Sequence, residues 1–314
     1  MNPETLAEWM RRQGHHVLRT AGSYWYEVGL HVYQAFPYHW LITPTEEELD
    51  EFLKKERAIA LRYSTPQTAS IGQISYHVVF TDKTYDLSIL PRKVRYRVRK
   101  GLGYAKIEPI SFPRLAKEGW ALRIETLVRQ GRSGAESQQW WERLCLSAEG
   151  LPGFEAWGAL HEGQLVASLI AFTMDGCTSI FYQQSLTDQL KYGVNNALTY
   201  AFTTEVLSRP GISQIFYGLH SLDAPPSVDD YKFRMRYKAM PVRQRVVFNP
   251  WLKPFINRVS YAVIKQLRNF RPGNATLAKA EGMFRFYLEG QRPLNQQAWP
   301  EALIQTKSEE ENDA

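Results

Sequence analysis

The sequence predicts an α/β (α+β) fold, with mixed, mostly antiparallel sheets and flanking helices. Three observations predict it. The first eighty residues alternate helical and strand patterns. Further on, two apolar runs, Leu165–Met174 and Thr178–Gln184, are separated by Asp175-Gly176, a strong hairpin turn signal. A helical run then opens at Gly193 and closes at Arg209-Pro210-Gly211, which cannot continue a helix. Short strands are expected after it, at Ile212–Tyr217 and Pro241–Phe248.

Asn2 can cap a first helix, with Pro3 in its first turn and Glu4 against its dipole; Gly14 ends it. His15 and His16 have no ligand partner at metal spacing and read as surface residues. Trp25–Tyr33 reads as one strand. The aromatic run Phe36, Pro37, Tyr38, His39, Trp40 suits packing beneath a loop, or the wall of a groove. Thr45 followed by Glu46, Glu47 and Glu48 starts a capped helix to about Lys55. Ala58–Tyr63 and Ile74–Phe80 read as buried strands, and Pro66–Gly72 as a loop.

Between Asp86 and Tyr104, Leu90, Val94 and Val98 recur at helical spacing, with Arg92, Lys93, Arg95, Arg97, Arg99 and Lys100 on the other faces. Asp86 or Ser88 is the expected cap, and Gly101 or Gly103 the expected end. Such a helix suits nucleic acid, acidic lipid or phosphate, or is a solvated face with ion pairs. A strand at Ala105–Ile110 and helices at Leu115–Gly131 and Ser137–Gly150 follow. After Phe248, Leu252, Phe255, Ile256, Val259, Val263 and Leu267 are interleaved with Lys253, Arg258, Lys265, Arg268 and Arg271. This basic amphipathic stretch, 250–271, is expected to pack across the core, with peripheral membrane contact as the alternative.

The 314 residues carry a formal charge of +6 and a sequence pI of about 9.1, which favours an anionic partner: a phosphate-bearing cofactor, RNA, DNA or anionic lipid. Cys145 and Cys177 form no metal or C-x-x-C pattern, so no metal and no disulfide is expected. No apolar run is long enough for a membrane span, and a soluble, cytoplasmic protein is expected.

A strand end that meets a glycine at a helix start suits a phosphate, because free N–H groups and the helix dipole both favour an anion. That places Lys191, Tyr192, Gly193, Val194, Asn195 and Asn196 at a candidate phosphate site. The hairpin–glycine–helix–strand order resembles the GNAT-type N-acyltransferases. Phe216-Tyr217-Gly218-Leu219-His220-Ser221, then Asp230-Tyr231-Lys232-Phe233-Arg234, resembles their Fem-like branch, as does the basic run Leu90–Lys100. The resemblance covers roughly residues 85–248, and the first eighty only in outline. It departs where the usual loop carries Gln or Arg three residues before its glycine; here Leu190 stands there, flanked by Gln189 and Lys191.

The resemblance implies tandem GNAT-like halves, at 1–110 and 111–249, with a helical extension at 250–306 and a tail at 307–314 expected to be disordered. It implies an N-acyltransferase acting on an amine acceptor, small-molecule, peptide or glycan. The donor is acyl-CoA, with aminoacyl-tRNA, and hence tRNA as a partner, as the alternative. The absence of a long uncapped heptad run favours acyl-CoA. The implied catalytic candidates are Tyr182, Tyr217, His220, Asp230 and Lys232. Asp230 or His220 would be the base, Tyr182, Tyr192 or Tyr217 the proton donor, and Lys232 a charge near the carbonyl or a phosphate, with Arg234 adding to it. Backbone N–H groups where Leu165–Met174 splays from Thr178–Gln184 would hold the carbonyl oxygen. The other reading is a catalytically silent GNAT-like module that binds RNA, anionic glycan or a membrane surface.

Overall fold

The computed structural model describes residues 2–131, 136–221, 226–271 and 274–305. The chain is a mixed α/β protein with mostly antiparallel strands. It divides into two compact units that do not follow chain order. One unit comprises residues 1–13, 78–218 and 225–238; the other comprises 14–77, 219–224 and 239–314.

The first unit is built on five adjacent strands, ordered β10, β9, β8, β7, β6: β6 (Lys106–Ile110), β7 (Phe154–His161), β8 (Gln164–Met174), β9 (Cys177–Ser185) and β10 (Gln214–Leu219). Neighbours are antiparallel except β9 and β10, which run parallel. A parallel pair needs a crossover, and helix α6 (Val194–Leu207) supplies it. Trp157 of β7 meets Phe202 of α6, with ring centroids 5.7 Å apart. Phe154, three positions earlier and so on the other face, meets Trp9 of helix α1 (Pro3–Arg12) at 5.0 Å. Asn2 caps α1, as its side chain predicts. The Trp9 indole then donates to the Leu144 carbonyl at 3.2 Å, across 135 residues of chain. Helices α4 (Phe112–Arg129) and α5 (Gln138–Ser147) begin at the caps Ser111 and Ser137. They approach closely because a Cβ at Gly119 would come within 2.9 Å of the Trp141 ring. Trp141 is buried and Trp140 half-buried.

The second unit has the strand order β1 (Val17–Arg19), β2 (Tyr24–Glu27), β3 (Val32–Phe36), β4 (Ala60–Thr65), β11 (Lys238–Phe248), with only β3 and β4 parallel. Helix α2 (Glu46–Lys55) joins that parallel pair, and Thr45 caps it by accepting from the Glu48 N–H. Trp25, Phe52, Leu53, Leu61 and Tyr63 form one core. Ala60, Val246, Phe248, Met283 and Phe286 form another, against helix α9 (Ala275–Gly290). Strand β5 (Gln73–Phe80) carries the chain from the second unit into the first.

Several expectations are corrected. Trp25–Tyr33 is not one strand: residues 28–31 turn, with Leu30 and His31 at positive φ, and the chain returns as β3. Strand β7 carries neither β-branched residues nor clean alternation, so its pattern gave no strand signal. The basic helix α3 (Arg92–Tyr104) starts after Pro91 with no side-chain cap, and Gly101 and Gly103 lie inside it. Its stripe of Leu90, Val94 and Val98 is buried as expected. The stretch after Phe248 packs its apolar stripe only at Ile256, which joins the core beside Phe248 and Met283; helix α8 (Arg258–Phe270) begins only at the cap Asn257, and none of its residues is buried. The tail at 307–314 lies outside the described residues. No helix among the described residues is long and apolar enough to cross a membrane.

Candidate functional site

The opening expected between Leu165–Met174 and Thr178–Gln184 is not there, because β8 and β9 pair from Ala167↔Ser185 to Met174↔Cys177. The opening lies on the other edge of β9. There β9 and β10 pair only at Gln214↔Cys177, Ile215↔Thr178 and Phe216↔Ser179. Both strands continue beyond this, unpaired with one another, and leave an edge of β9 backbone groups facing a gap.

A closed polar network lies at that gap. The Tyr217 hydroxyl donates to Gln183 Oε1 in a short contact. Thr199 Oγ1, from α6, donates to the same oxygen at 3.1 Å and lies 2.9 Å from the Tyr231 hydroxyl. Tyr231 and Gln183 Nε2 both donate to the Asn195 carbonyl, at 2.9 and 3.3 Å. Asn195 Oδ1 is buried and accepts no hydrogen bond among the described residues. Tyr231 belongs to helix α7 (Pro226–Arg234), so Asp230–Arg234 form a helix and not a returning loop.

One residue on from Tyr231, Lys232 Nζ makes an ion pair with Asp229 Oδ1 at 2.7 Å, with both side chains only 12% exposed. The ammonium also lies 5.3 Å from the centroid of the Tyr217 ring. A Cβ at Gly218, where φ is +127°, would approach it to 3.6 Å. Asp229 is the residue that sequence reasoning passed over in favour of Asp230. Spacing could have found it, since on a helix Asp229 is i−3 to Lys232 and faces it. Asp230 and Arg234 lie on the exposed side of α7.

Burial raises the pKa of Tyr217 well above the ordinary phenol value and that of Tyr231 to about 12; that of Tyr237, which bonds Thr203, also rises. These hydroxyls therefore hold their protons at neutral pH and act as donors. An unfolded tyrosine ionises near pH 10, while the folded ones resist. Stability is thus unaffected below about pH 10 and should fall above it by about 1.4 kcal/mol per pH unit for each such tyrosine. Urea unfolding from neutral to alkaline pH should show this slope. Tyr217→Phe and Tyr237→Phe should flatten it; an unchanged slope in both would mean that these rings ionise freely in the fold.

The remaining candidates separate. A bulge between Ile170 and Ala171 shifts the register at Phe181, from Ile170↔Tyr182 to Ala171↔Ile180. Phe181 stacks on Trp9, and Tyr182 turns towards Trp140, Trp141 and Arg123, whose guanidinium lies 5.0 Å from its ring centroid. Gln183 faces α6 instead, so Tyr182 is not part of the Tyr217 network. Arg123 is in turn held by a bidentate pair with Glu136. His220 belongs to the second unit. Its ring stacks on Tyr76 at 4.4 Å, and Nδ1 lies 3.1 Å from Ser75 Oγ.

The glycine loop before α6 has a structural reason of its own. Gly193 sits at φ +78° and is the N-cap of α6, without a side-chain hydrogen bond. A Cβ there would lie 2.3 Å from the Arg97 carbonyl oxygen, and one at Gly101 2.5 Å from the Gly193 oxygen. Helix α3 therefore crosses the start of α6 at backbone contact. Lys100 Nζ donates to the Lys191 carbonyl at 3.1 Å, and the Tyr104 hydroxyl to Gln189 at 2.7 Å. The rings of Tyr104 and Tyr192 stack at 4.0 Å, and both Lys100 and Lys191 lie over Tyr192. Lys191 is exposed; Val194 is buried core, and Asn196 is buried against Met235.

The second unit has a mostly apolar cleft of about 440 Å³, and Tyr38 of the aromatic run forms part of its wall, as the groove reading of that run expected. Tyr26, Leu30, Tyr38, Arg62, Lys279 and Met283 are among its walls. Phe36, from the same aromatic run as Tyr38, is core.

No protein-family model and no curated protein sequence matches the chain. Solved structures do resemble it. FemX aligns with a TM-score of 0.55 and 10% identity, over 79% of this chain and 92% of FemX. L-PGS from Bacillus licheniformis aligns at 0.51 and 13%, over 79% and 92%. The C-terminal domain of a putative lysylphosphatidylglycerol synthetase from Agrobacterium fabrum aligns at 0.50 and 11%, over 84% and 91%. At such identities the likeness establishes the fold, which is the Fem-like double-GNAT fold.

Proposed function

We propose that this chain, with its Fem-like double-GNAT fold, is an N-acyltransferase that moves an acyl group from acyl-CoA to an amine, with aminoacyl-tRNA as the alternative donor. The observation that carries the reading is the gap where β9 and β10 stop pairing, lined by protonated tyrosines and a buried lysine. An extended donor arm fits there as an added strand, taking the backbone groups of β9 that β10 leaves open. One of those N–H groups would hold the acyl oxygen as it gains negative charge. Lys232, fixed by Asp229, adds positive charge at the same end. Tyr217 keeps its proton until a thiolate or ribose oxygen leaves and then supplies it. Asp230, on the exposed side of α7, is the carboxylate that takes the amine proton through water. Lys191 and the first N–H groups of α6, with Arg234, would meet the donor's phosphates. The acceptor is a small-molecule, peptide or glycan amine.

One observation favours the silent-module reading. Helix α3 already occupies the start of α6, and Gly193 is required by that packing whether or not a phosphate binds. Titration calorimetry with acyl-CoA and with aminoacyl-tRNA separates the two. Binding of either donor, with transfer to an amine, supports the enzyme. Tyr217→Phe should then lower turnover by about 10- to 100-fold with little change in donor affinity. If neither donor binds, the acyltransferase reading fails.

A further inference from the structure

Helix α8 and the turn before it expose an apolar stripe that the fold leaves uncovered. Trp251 is 63% exposed, Phe255 67%, Val259 75%, Val263 51%, Leu267 47% and Phe270 76%. From Val259 to Phe270 these positions follow i, i+4, i+8, i+11 and form one line along a helix about 20 Å long. The helix is anchored by a different face. Tyr261 donates to Glu281 of α9 at 2.8 Å, and Arg268 to the same carboxylate at 2.9 Å. Ser260, Tyr261, Ile264 and Arg268 are the half-buried positions of α8; they lie about a third of a turn from the exposed stripe.

Around the stripe the charge has one sign. Lys253, Arg258, Lys265 and Arg271 are exposed. No aspartate or glutamate occurs in the sequence between Asp230 and Glu281. The capping box at Asn257 and Ser260 fixes where the helix starts, so the stripe is presented by a formed helix.

We infer that residues 251–271 form a peripheral docking surface for an anionic lipid bilayer, with the apolar stripe in the acyl–headgroup boundary and the cations on lipid phosphates. Both halves of the surface are needed for that choice. RNA would reward the cations and leave the aliphatic stripe in water. A neutral apolar partner would reward the stripe and leave the cations without counter-charge. An anionic bilayer satisfies both, and aromatic residues at the two ends, Trp251 and Phe270, suit the interfacial depth. This inference does not depend on acyl transfer, because its readout involves no donor.

Co-sedimentation of the full chain with phosphatidylcholine vesicles, with and without phosphatidylglycerol, tests it. The chain should pellet with the anionic vesicles at least about tenfold more strongly than with neutral ones, and less as salt rises. Phe255→Ser with Phe270→Ser should weaken binding at least about tenfold, since each removes a large apolar group from the lipid. Because these side chains are exposed, the melting temperature should stay at the wild-type value. Arg258→Gln with Lys265→Gln and Arg271→Gln should erase the preference for anionic vesicles. The inference is overturned by failure to bind vesicles, by binding that the serine pair leaves intact, or by RNA binding without vesicle binding. A vesicle-free dimer that the serine pair dissociates would also overturn it, since the stripe would then be a self-interface.

Discussion

Lys232→Ala is expected to lower turnover by about 100-fold, if the ammonium stabilises charge that develops in the transition state. It should also destabilise the fold by about 2 kcal/mol. The Lys232–Asp229 pair is almost wholly enclosed, and removing the ammonium takes the ion-pair partner from a buried carboxylate. The two effects can be separated. Asp229→Asn together with Lys232→Met removes both charges, so it should recover most of the stability and none of the turnover. Steady-state kinetics and urea unfolding on the three proteins decide the matter. A loss confined to donor affinity would make Lys232 a phosphate contact. Wild-type turnover in the alanine variant removes it from the chemistry and leaves a structural ion pair.

Gly193→Val is expected to unfold the first unit, or to cost it at least about 3 kcal/mol. Two strains coincide: a left-handed φ of +78° and a Cβ 2.3 Å from a backbone oxygen that belongs to α3. Nothing flexible can give way, because the obstacle is main chain. Gly101→Ala, on the facing helix, meets the Gly193 oxygen at 2.5 Å and should fail for the same reason. A thermal melt of Gly193→Ala that matches the wild type would show that α3 does not lie against the loop. This substitution therefore reports on packing; Lys191→Glu, exposed and in the same loop, is the variant that reports on donor phosphates.

Local signals in the chain were read well where cause and effect lie close together. Asn2 and Thr45 cap the helices they precede, and Asp175-Gly176 turns the hairpin between β8 and β9. Leu90, Val94 and Val98 are buried, as their spacing requires. What was illegible depends on distant partners. Gly193 looked like a residue kept small for a phosphate; what it accommodates in the fold is a helix that begins about a hundred residues earlier. The opening was expected on the wrong edge of β9, because the pattern reveals two strands and not how far each stays paired with its neighbours. Asp229 and Asp230 are adjacent carboxylates in the sequence, and only the pitch of α7 turns one inward and the other outward. The apolar stripe after Phe248 was expected to be covered, because amphipathic helices in globular chains usually are.

The indole of Trp9, bonded to the Leu144 carbonyl, gives the nascent chain an order of events. Helix α1 is made before α5, and its packing against α5 must wait until that helix has been made. The first unit then still lacks β10 and α7, and the second lacks β11 and α9. Neither body can close as its own residues appear in series, and each must hold partly formed apolar surface while the other is translated. Loops of this span slow closure, and exposed strand edges in the interval invite pairing between chains. Synthesis halted anywhere before α7 would therefore leave no finished half to release.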